Sequence, residues 1–388
     1  MESERPLHAP WGRSTVAIIL LTIAAYFVTA RLGLLLAIPP AYKASAVWPP
    51  SGIALAAILL WGNRVWPGIL FGAFLGNAAD FFLSETGFSL GAHVSVAAAI
   101  ATGSTLQALL GGWIVSKWIG RPNFIDRGMD VLKFVLAACC ACLVASSIGV
   151  VSLVAAGLTN SSTAAFSWFT WWLGDAVGIV LLAPTILVWA HARAGSREAW
   201  LEGTGLMAVL ALVGYLAFAD KFTTEAFAAS LAFLTVPLIV LATFRFGRHG
   251  ATASLLVFSG VAIWGTAQGQ GPFVYASTAE SLFSLQAFVG IISLTALALA
   301  AVLAERKSEE RMKSMAIERF ESAMSEIRTL QSLIPICAWC KKVRNDLGGW
   351  EQLELYVHRH FDASFTHGIC PDCRGQAELQ DDVLESWE

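Results

Sequence analysis

Four cysteines near the end of the chain have the type and the spacing of metal ligands. They form two C-x-x-C pairs, Cys337 with Cys340 and Cys370 with Cys373, separated by residues 341–369. Two such pairs are the ligand pattern of a structural zinc site, in which four thiolates close a tetrahedron around the ion. The separation exceeds the usual one for this pattern, so the pairs are expected to flank a small inserted segment.

The length of this cysteine-containing stretch favours metal binding. A stretch of the size of 332–375 cannot be stabilised by apolar burial alone, so a metal ion or a partner is needed. His367 lies three residues before Cys370 and could replace a cysteine as ligand. We expect a structural zinc ion and no catalytic residues. Two alternatives stay open: a redox-active dithiol pair and an iron–sulfur cluster. Stable disulfides between these cysteines are not expected, because a reducing cytosol disfavours them.

A second group of candidate residues lies inside apolar segments. Asp175 falls near the middle of one of them, where an ionised carboxylate is costly unless it faces a polar cavity or a partner. Asp175 is therefore a candidate for ligand sensing or switching, and the alternative is a carboxylate that holds helices together by accepting hydrogen bonds. The other candidates are polar or helix-breaking residues in similar segments: Asp80, Asn77, Gly174, Pro49 and Gly52.

The composition places these candidates in a membrane protein. The 388 residues are 56% hydrophobic and 14% charged, with a mean hydropathy of +0.64, whereas soluble domains average roughly 25% charged residues. Of the 53 charged residues, 27 lie from Glu305 onward, so the part before Glu305 is the lipid-embedded one. The charges form no basic stripe, so we expect no nucleic-acid partner.

The apolar segments predict an all-α polytopic protein with about eight to ten transmembrane helices. A span needs about 20 apolar residues, and the first apolar segment is long enough to stay in the bilayer, so a removable signal peptide is not expected. The ten candidate spans are 14–36, 47–61, 66–83, 92–117, 131–157, 165–190, 204–219, 226–244, 251–266 and 281–304.

The distribution of basic residues predicts the orientation of these spans. With ten spans, most Arg and Lys residues fall in loops on the side that also holds both termini. Because cytoplasmic loops carry an excess of Arg and Lys, we expect both termini in the cytoplasm and the protein in a bacterial inner membrane.

A helical linker is expected to join the membrane part to the cysteines. Residues 305–331 contain no Gly or Pro and many helix formers. Apolar residues recur alternately four and three positions apart, which suits a homodimeric coiled coil over 313–334 or a single amphipathic helix. The predicted divisions are a cytoplasmic N-terminus (1–13), a membrane domain (14–304), a linker helix (305–331), a small α/β zinc module (332–375) and an acidic, disordered tail (376–388).

Three ordered motifs resemble the MASE1 family of bacterial membrane sensory domains. They are VWPPSG with WGNRVWPG, WWLGDAVG with a downstream LLAP, and FRFG followed by WGT and GPF, all within 14–304. The resemblance implies perception of a small-molecule or envelope signal, ahead of a histidine kinase or diguanylate cyclase. The positions that match the most characteristic sites of the family are Pro49, Gly52, Asp80, Gly174 and Asp175.

The part after residue 331 departs from that family pattern. It lacks the glycine-rich and GGDEF-like stretches of a catalytic output, and LIPICAWCKKVRND…W…THGICPDC is similar to zinc-ribbon-like segments at the ends of bacterial sensor and response-regulator chains. We therefore expect an inner-membrane sensor, not an enzyme, that relays its signal through the zinc module to a separate histidine kinase or another signalling protein of a two-component system. The alternatives are a small-molecule transporter with a regulatory zinc tail, and thiol redox activity at the C-x-x-C pairs.

Overall fold

A computed structural model describes residues 15–35, 45–83, 90–120, 126–191, 196–218, 225–331, 334–360, 364–366 and 368–375, with side chains described except at 80–83, 225–229 and 327–333. The predicted terminal segments 1–13 and 376–388 lie outside these residues. The helices are α1 (Thr15–Leu35), α2 (Pro49–Trp61), α3 (Trp66–Leu83), α4 (Leu90–Trp118), α5 (Gly128–Ala155), α6 (Ser161–Ala190), α7 (Arg197–Phe218), α8 (Glu225–Ala267), α9 (Thr278–Gln331) and α10 (Leu353–His360).

The predicted all-α membrane architecture is confirmed. Within the described residues, seven helices are long and apolar enough to cross a membrane: α1, α4, α5, α6, α7 and the corresponding parts of α8 and α9. Helix α2 is equally apolar but only 13 residues long. At about 1.5 Å per residue it covers roughly two thirds of the hydrocarbon core. Each of the ten predicted segments overlaps a helix.

Helix α8 contains two of the predicted spans because the chain reverses within it. Gly247 has φ 59° and ψ −139°, which is not helical. A Cβ placed on Gly250 would overlap the carbonyl oxygen of Ala242, although eight residues of straight helix would separate these positions by about 12 Å. The spans predicted at 226–244 and 251–266 are therefore the two arms of a helical hairpin.

Besides a small apolar core between α4 and the end of α5, the described membrane helices share two larger buried cores. The larger core is built from apolar side chains of α2 and α4 to α9. The smaller one joins α1, α2, α3 and α4, with Tyr26 and Ile69 fully buried in it. Helix α2 contributes to both cores, and it packs closely on α6. A short helix is thus fixed in the middle of the membrane domain.

The chain divides into two compact units, residues 1–309 and 310–388, and α9 contributes to both. In the second unit, β1 (Val343–Arg344) pairs antiparallel with β2 (Trp350–Glu351), with Val343 opposite Glu351. Helix α10 follows directly. The predicted small strand-and-helix module is therefore present.

Candidate functional site

The first turn of α2 lies against the middle of α6. Pro49 and Pro50 occupy the first two helical positions. An N–H group at these positions has no acceptor inside the helix, so proline, which lacks this group, loses no helical hydrogen bond there. The N–H of Trp48, just before them, donates to the carbonyl oxygen of Gly174 in α6 at 3.0 Å. A helix can thus begin at this depth without leaving its first donors unpaired, which lipid would not tolerate.

Two glycines bring the backbones of α2 and α6 into contact. A Cβ on Gly52 would overlap the carbonyl oxygen of Gly178 and would lie 2.6 Å from Cβ of Leu182. A Cβ on Gly178 would overlap the carbonyl oxygen of Trp48. Small residues at helix contacts permit such an approach in membranes, and here they are required, because the obstructing atoms belong to the backbone.

This close contact places Ser51 beside Asp175. The Ser51 hydroxyl donates to Oδ1 of Asp175 at 2.9 Å, and both residues are buried. The side chains of Gln107 in α4 and Trp171 in α6 are further neutral groups that favour a negative charge on this carboxylate. Because the N-terminus of α2 carries the positive end of its helix dipole, it adds to the stabilisation of a negative charge here.

Neutral donors, and no cation of the described residues, surround Asp175. The buried carboxylate accepts a hydrogen bond from α2, and side chains of α4 and α6 favour its negative charge. Taking up a proton or a cation would change the pattern of donors that the carboxylate can accept. The arrangement can therefore couple a chemical change at one carboxylate to the packing of three helices.

Helix α9 reaches the same region through Gln286. Its Nε2 donates to the carbonyl oxygen of Thr170 in α6 at 3.0 Å, and it lies 3.1 Å from where a Cβ of Gly174 would be. The Oε1 atoms of Gln286 and Gln107 are buried without a hydrogen-bond partner among the described residues. These two amide oxygens could therefore accept hydrogen bonds from donors that move when the surroundings of Asp175 change.

The structure brings together four of the six predicted intramembrane residues: Asp175, Gly174, Pro49 and Gly52. Asn77 behaves differently, since its side-chain amide donates to the carbonyl oxygen of Ala73 in its own helix α3 at 2.8 Å. The Asp80 side chain lies outside the described residues.

Three contacting residues escaped the sequence interpretation. Ser51 directly follows the two prolines of α2, and a hydroxyl in the first turn of a helix that starts inside the membrane is a signal that could have found it. Gln107 is an isolated amide within an apolar segment, which is a similar signal. Trp171 lies four residues before Asp175 in the same helix, and nothing in its local sequence distinguishes it from the other tryptophans of the membrane segments.

Comparison with protein families identifies this membrane domain. The MASE1 family model matches residues 18–307, about three quarters of the chain. The chain belongs to the MASE1 family. MASE1 is a membrane sensory domain found in signalling proteins, so the predicted multi-pass membrane sensor is confirmed at this level. Searches of curated proteins and of solved structures found no match.

The four tail cysteines lie beyond the MASE1 match, and the first pair forms a tight turn. The N–H of Cys337 donates to the carbonyl oxygen of Lys342 at 2.8 Å, and the N–H of Lys341 donates back to the Cys337 carbonyl oxygen at 3.0 Å. Lys341 has φ 60°, the only positive value at a non-glycine residue in the described part of the chain. The N–H of Cys340, followed by that of Trp339, holds the pKa of the Cys337 thiol below its ordinary value.

The second pair resembles the first in its local electrostatics. The N–H of Cys373, followed by its thiol, lowers the pKa of the Cys370 thiol, and the N–H of Arg374 donates to the Cys370 carbonyl oxygen at 3.0 Å. N–H groups directed at thiolates suit metal coordination, because a coordinating cysteine must be deprotonated.

The two cysteine pairs are not assembled into one ligand set. Among the described residues, no three His, Cys, Asp or Glu side chains are grouped closely enough to hold a metal ion, and His367 is not among those residues. All four cysteines have free thiols. The chemistry and local turns of the pairs fit zinc, whereas the four-thiolate site itself stays a prediction.

Proposed function

We propose that this MASE1 protein senses a small molecule or a membrane state at the α2–α6 contact around Asp175 and relays the change through α9 to its tail. The observation that carries the proposal is the position of Gln286. Gln286 lies in α9 and donates to Thr170 of α6, five residues before Asp175, and α9 continues to Gln331. One helix thus bears both a contact with the candidate site and the connection to the cysteine pairs.

The proposed signal is a change in helix packing. If the hydrogen bonds of Asp175 are rearranged, the Gly52–Gly178 contact permits little adjustment, since backbone atoms already touch there. The side-chain contact of Gln286 with Thr170 is more easily altered. A displacement of α9 is therefore the expected output, in keeping with the two-arrangement behaviour of packed helices.

In the proposed relay the tail is a zinc-stabilised docking module and not an enzyme. Trp339 is 95% exposed and Leu347 is 96% exposed, and a partner that covered these apolar side chains would gain from removing them from water. The partner would be a separate histidine kinase or another signalling protein. Phe320 in the 313–334 region is 67% exposed, which supports a homodimer through this part of α9.

The proposed location is the bacterial inner membrane, with both termini in the cytoplasm. The basic residues that precede α1, join α2 to α3 and follow α6 support this orientation under the positive-inside rule. Fusion of a cytoplasmic fluorescent reporter to the C-terminus tests it, because such a reporter stays dark when it is exported.

Hydrogen–deuterium exchange of the full-length protein in phospholipid nanodiscs tests the relay. Asp175→Asn should change the exchange of backbone amides at 305–331. Thr185→Val is the matched control, because Thr185 is buried in the same helix but donates only to Leu181 of that helix. Equal exchange in wild type, Asp175→Asn and a second variant, Gln286→Leu, would overturn the relay.

A transporter is the second candidate function, and one observation favours it. Helix α2 begins inside the membrane domain with its N-terminus at a buried carboxylate, and transporters likewise place the N-termini of broken helices at anionic groups near the middle of the membrane. Proteoliposomes containing a pH-sensitive dye test this function. Proton flux that is present in wild type and lost in Asp175→Asn would support transport, and equal flux in both would exclude a proton carrier that depends on Asp175.

A further inference from the structure

We propose that a cavity between α6, α7 and α8 binds the flat ring of a quinone-type amphiphile, an apolar molecule whose one or two fused rings carry carbonyl or hydroxyl oxygens. The cavity has a volume of about 270 Å³. Its lining includes Trp189, Trp200, Gly203, Phe246, His249 and Gly250. These residues take no part in the Asp175 contacts, so this site is independent of the proposed sensing function.

The cavity lies where membrane helices end. Trp189 is the penultimate residue of α6, and Trp200 is in the first turn of α7. Phe246 and His249 flank the reversal of α8 at Gly247. Tryptophans at helix ends mark the boundary between hydrocarbon and water. This is a depth at which the polar ring of an amphiphile can bind while its apolar chain stays in lipid.

The walls of the cavity present flat aromatic surfaces. The ring centroids of Trp189 and Trp200 are 6.0 Å apart, and His249 meets Trp189 edge-on at 5.4 Å. The Trp189 ring is fixed, because its Nε1 donates to Thr252 Oγ1 at 3.1 Å. Aromatic rings favour stacked or edge-on contacts with other rings, so these walls suit a ring better than an acyl chain.

The volume limits the size of the ring system. An apolar cavity of about 150 Å³ can hold one benzene molecule, and drug-sized ligands occupy about 300–1,000 Å³. A space of about 270 Å³ therefore suits one ring or two fused rings. Gly203 keeps this space open, since the nearest atom to a Cβ placed there is Cζ of Phe246 at 3.8 Å.

The polar groups around the cavity favour a neutral ligand. Arg245 pairs with Glu202 at 2.6 Å, and Arg248 pairs with Asp126 at 2.6 Å. These arginines, which flank the Gly247 turn, are thus already neutralised, which disfavours an anionic lipid headgroup. The ring nitrogens of His249 have no hydrogen-bond partner among the described residues, so one of them can bond to a ring oxygen.

Photoaffinity labelling of the full-length protein in phospholipid nanodiscs tests the site, with an azido-naphthoquinone as the probe. Saturable labelling is expected in peptides that contain Trp200 or His249, and unlabelled 2-methyl-1,4-naphthoquinone should suppress it. Gly203→Leu fills the cavity and should lower labelling by roughly tenfold or more. Gly205→Leu, two residues away with no atom within 4 Å of the added Cβ, is the matched control and should label as wild type does.

Three results would overturn the proposal. The first is labelling that does not saturate. The second is labelling that is the same in the Gly203→Leu and Gly205→Leu variants, whether it falls in both or in neither. The third is suppression by palmitic acid that is as strong as suppression by the naphthoquinone. The last result would identify the occupant as an acyl chain. If Gly203→Leu does not elute as a folded species in size-exclusion chromatography, Ala253→Leu fills the cavity from α8 instead.

Discussion

The hydroxyl of Ser51 donates a hydrogen bond to Oδ1 of Asp175 at 2.9 Å, across 124 positions of the sequence. Ser51 is 4% exposed and Asp175 is 1% exposed. This bond joins the first turn of a short helix to the middle of a long one. It therefore links the strength of the α2–α6 contact to the state of one carboxylate.

Removal of the Ser51 hydroxyl should weaken the membrane domain. Ser51→Ala leaves a buried carboxylate short of one donor, and a hydrogen bond to a charged group contributes about 1.5–3 kcal/mol. Thermal unfolding of the purified full-length protein should show a lower Tm. Ser254→Ala is the control, because this equally buried serine donates only to Ala251 of its own helix; similar Tm values for both variants would contradict the role of Ser51.

A methyl group on Gly178 should separate α2 from α6. Gly178→Ala places a Cβ against the backbone oxygen of Trp48, which cannot move aside as a side chain could, so we expect destabilisation of about 3 kcal/mol or more. The folded fraction in size-exclusion chromatography measures it. Gly260→Ala, where the added Cβ meets no atom within 4 Å, should be neutral or slightly stabilising. A well-folded Gly178→Ala protein would show that the contact is adaptable.

Zinc should protect all four tail cysteines from alkylation. After treatment with a chelator, Cys337 and Cys370 should react with iodoacetamide at a lower pH than the ordinary thiol value of about 8.5. The reason is that the N–H groups of Cys340 and Cys373, respectively, lower their pKa values, and the thiolate is the reactive form. A pH series read by mass spectrometry checks both statements. Alkylation that the chelator leaves unchanged would argue against bound zinc.

Lys341→Gly should strengthen the first cysteine turn. Lys341 has φ 60°, a conformation that costs a residue with a Cβ about 1 kcal/mol and costs glycine almost nothing. If the turn holds zinc, the apparent zinc affinity in a chelator competition should rise by roughly fivefold. The neighbouring Lys342→Gly removes the same charge without that relief and should not raise the affinity. Equal effects of both variants would assign the change to charge.

The sequence predicted the fold class and the family because both depend on local properties. Apolar segments of sufficient length specify membrane helices whatever their neighbours are, so each of the ten predicted segments overlaps a helix. The interpretation of 226–244 and 251–266 as separate spans agrees with the reversal at Gly247. The motifs around Trp48 and Asp175 were sufficient to indicate the family that the comparison shows.

Only the tertiary structure decided which polar residues meet. Gly52 was a candidate in the sequence but Gly178 was not, and the contact of their backbones brings Ser51 to Asp175. Asn77 was also a candidate, but its side chain bonds within α3. The reason is physical: helix formation is governed by side chains three or four positions apart, whereas the partners of a buried carboxylate depend on how helices distant in sequence pack together.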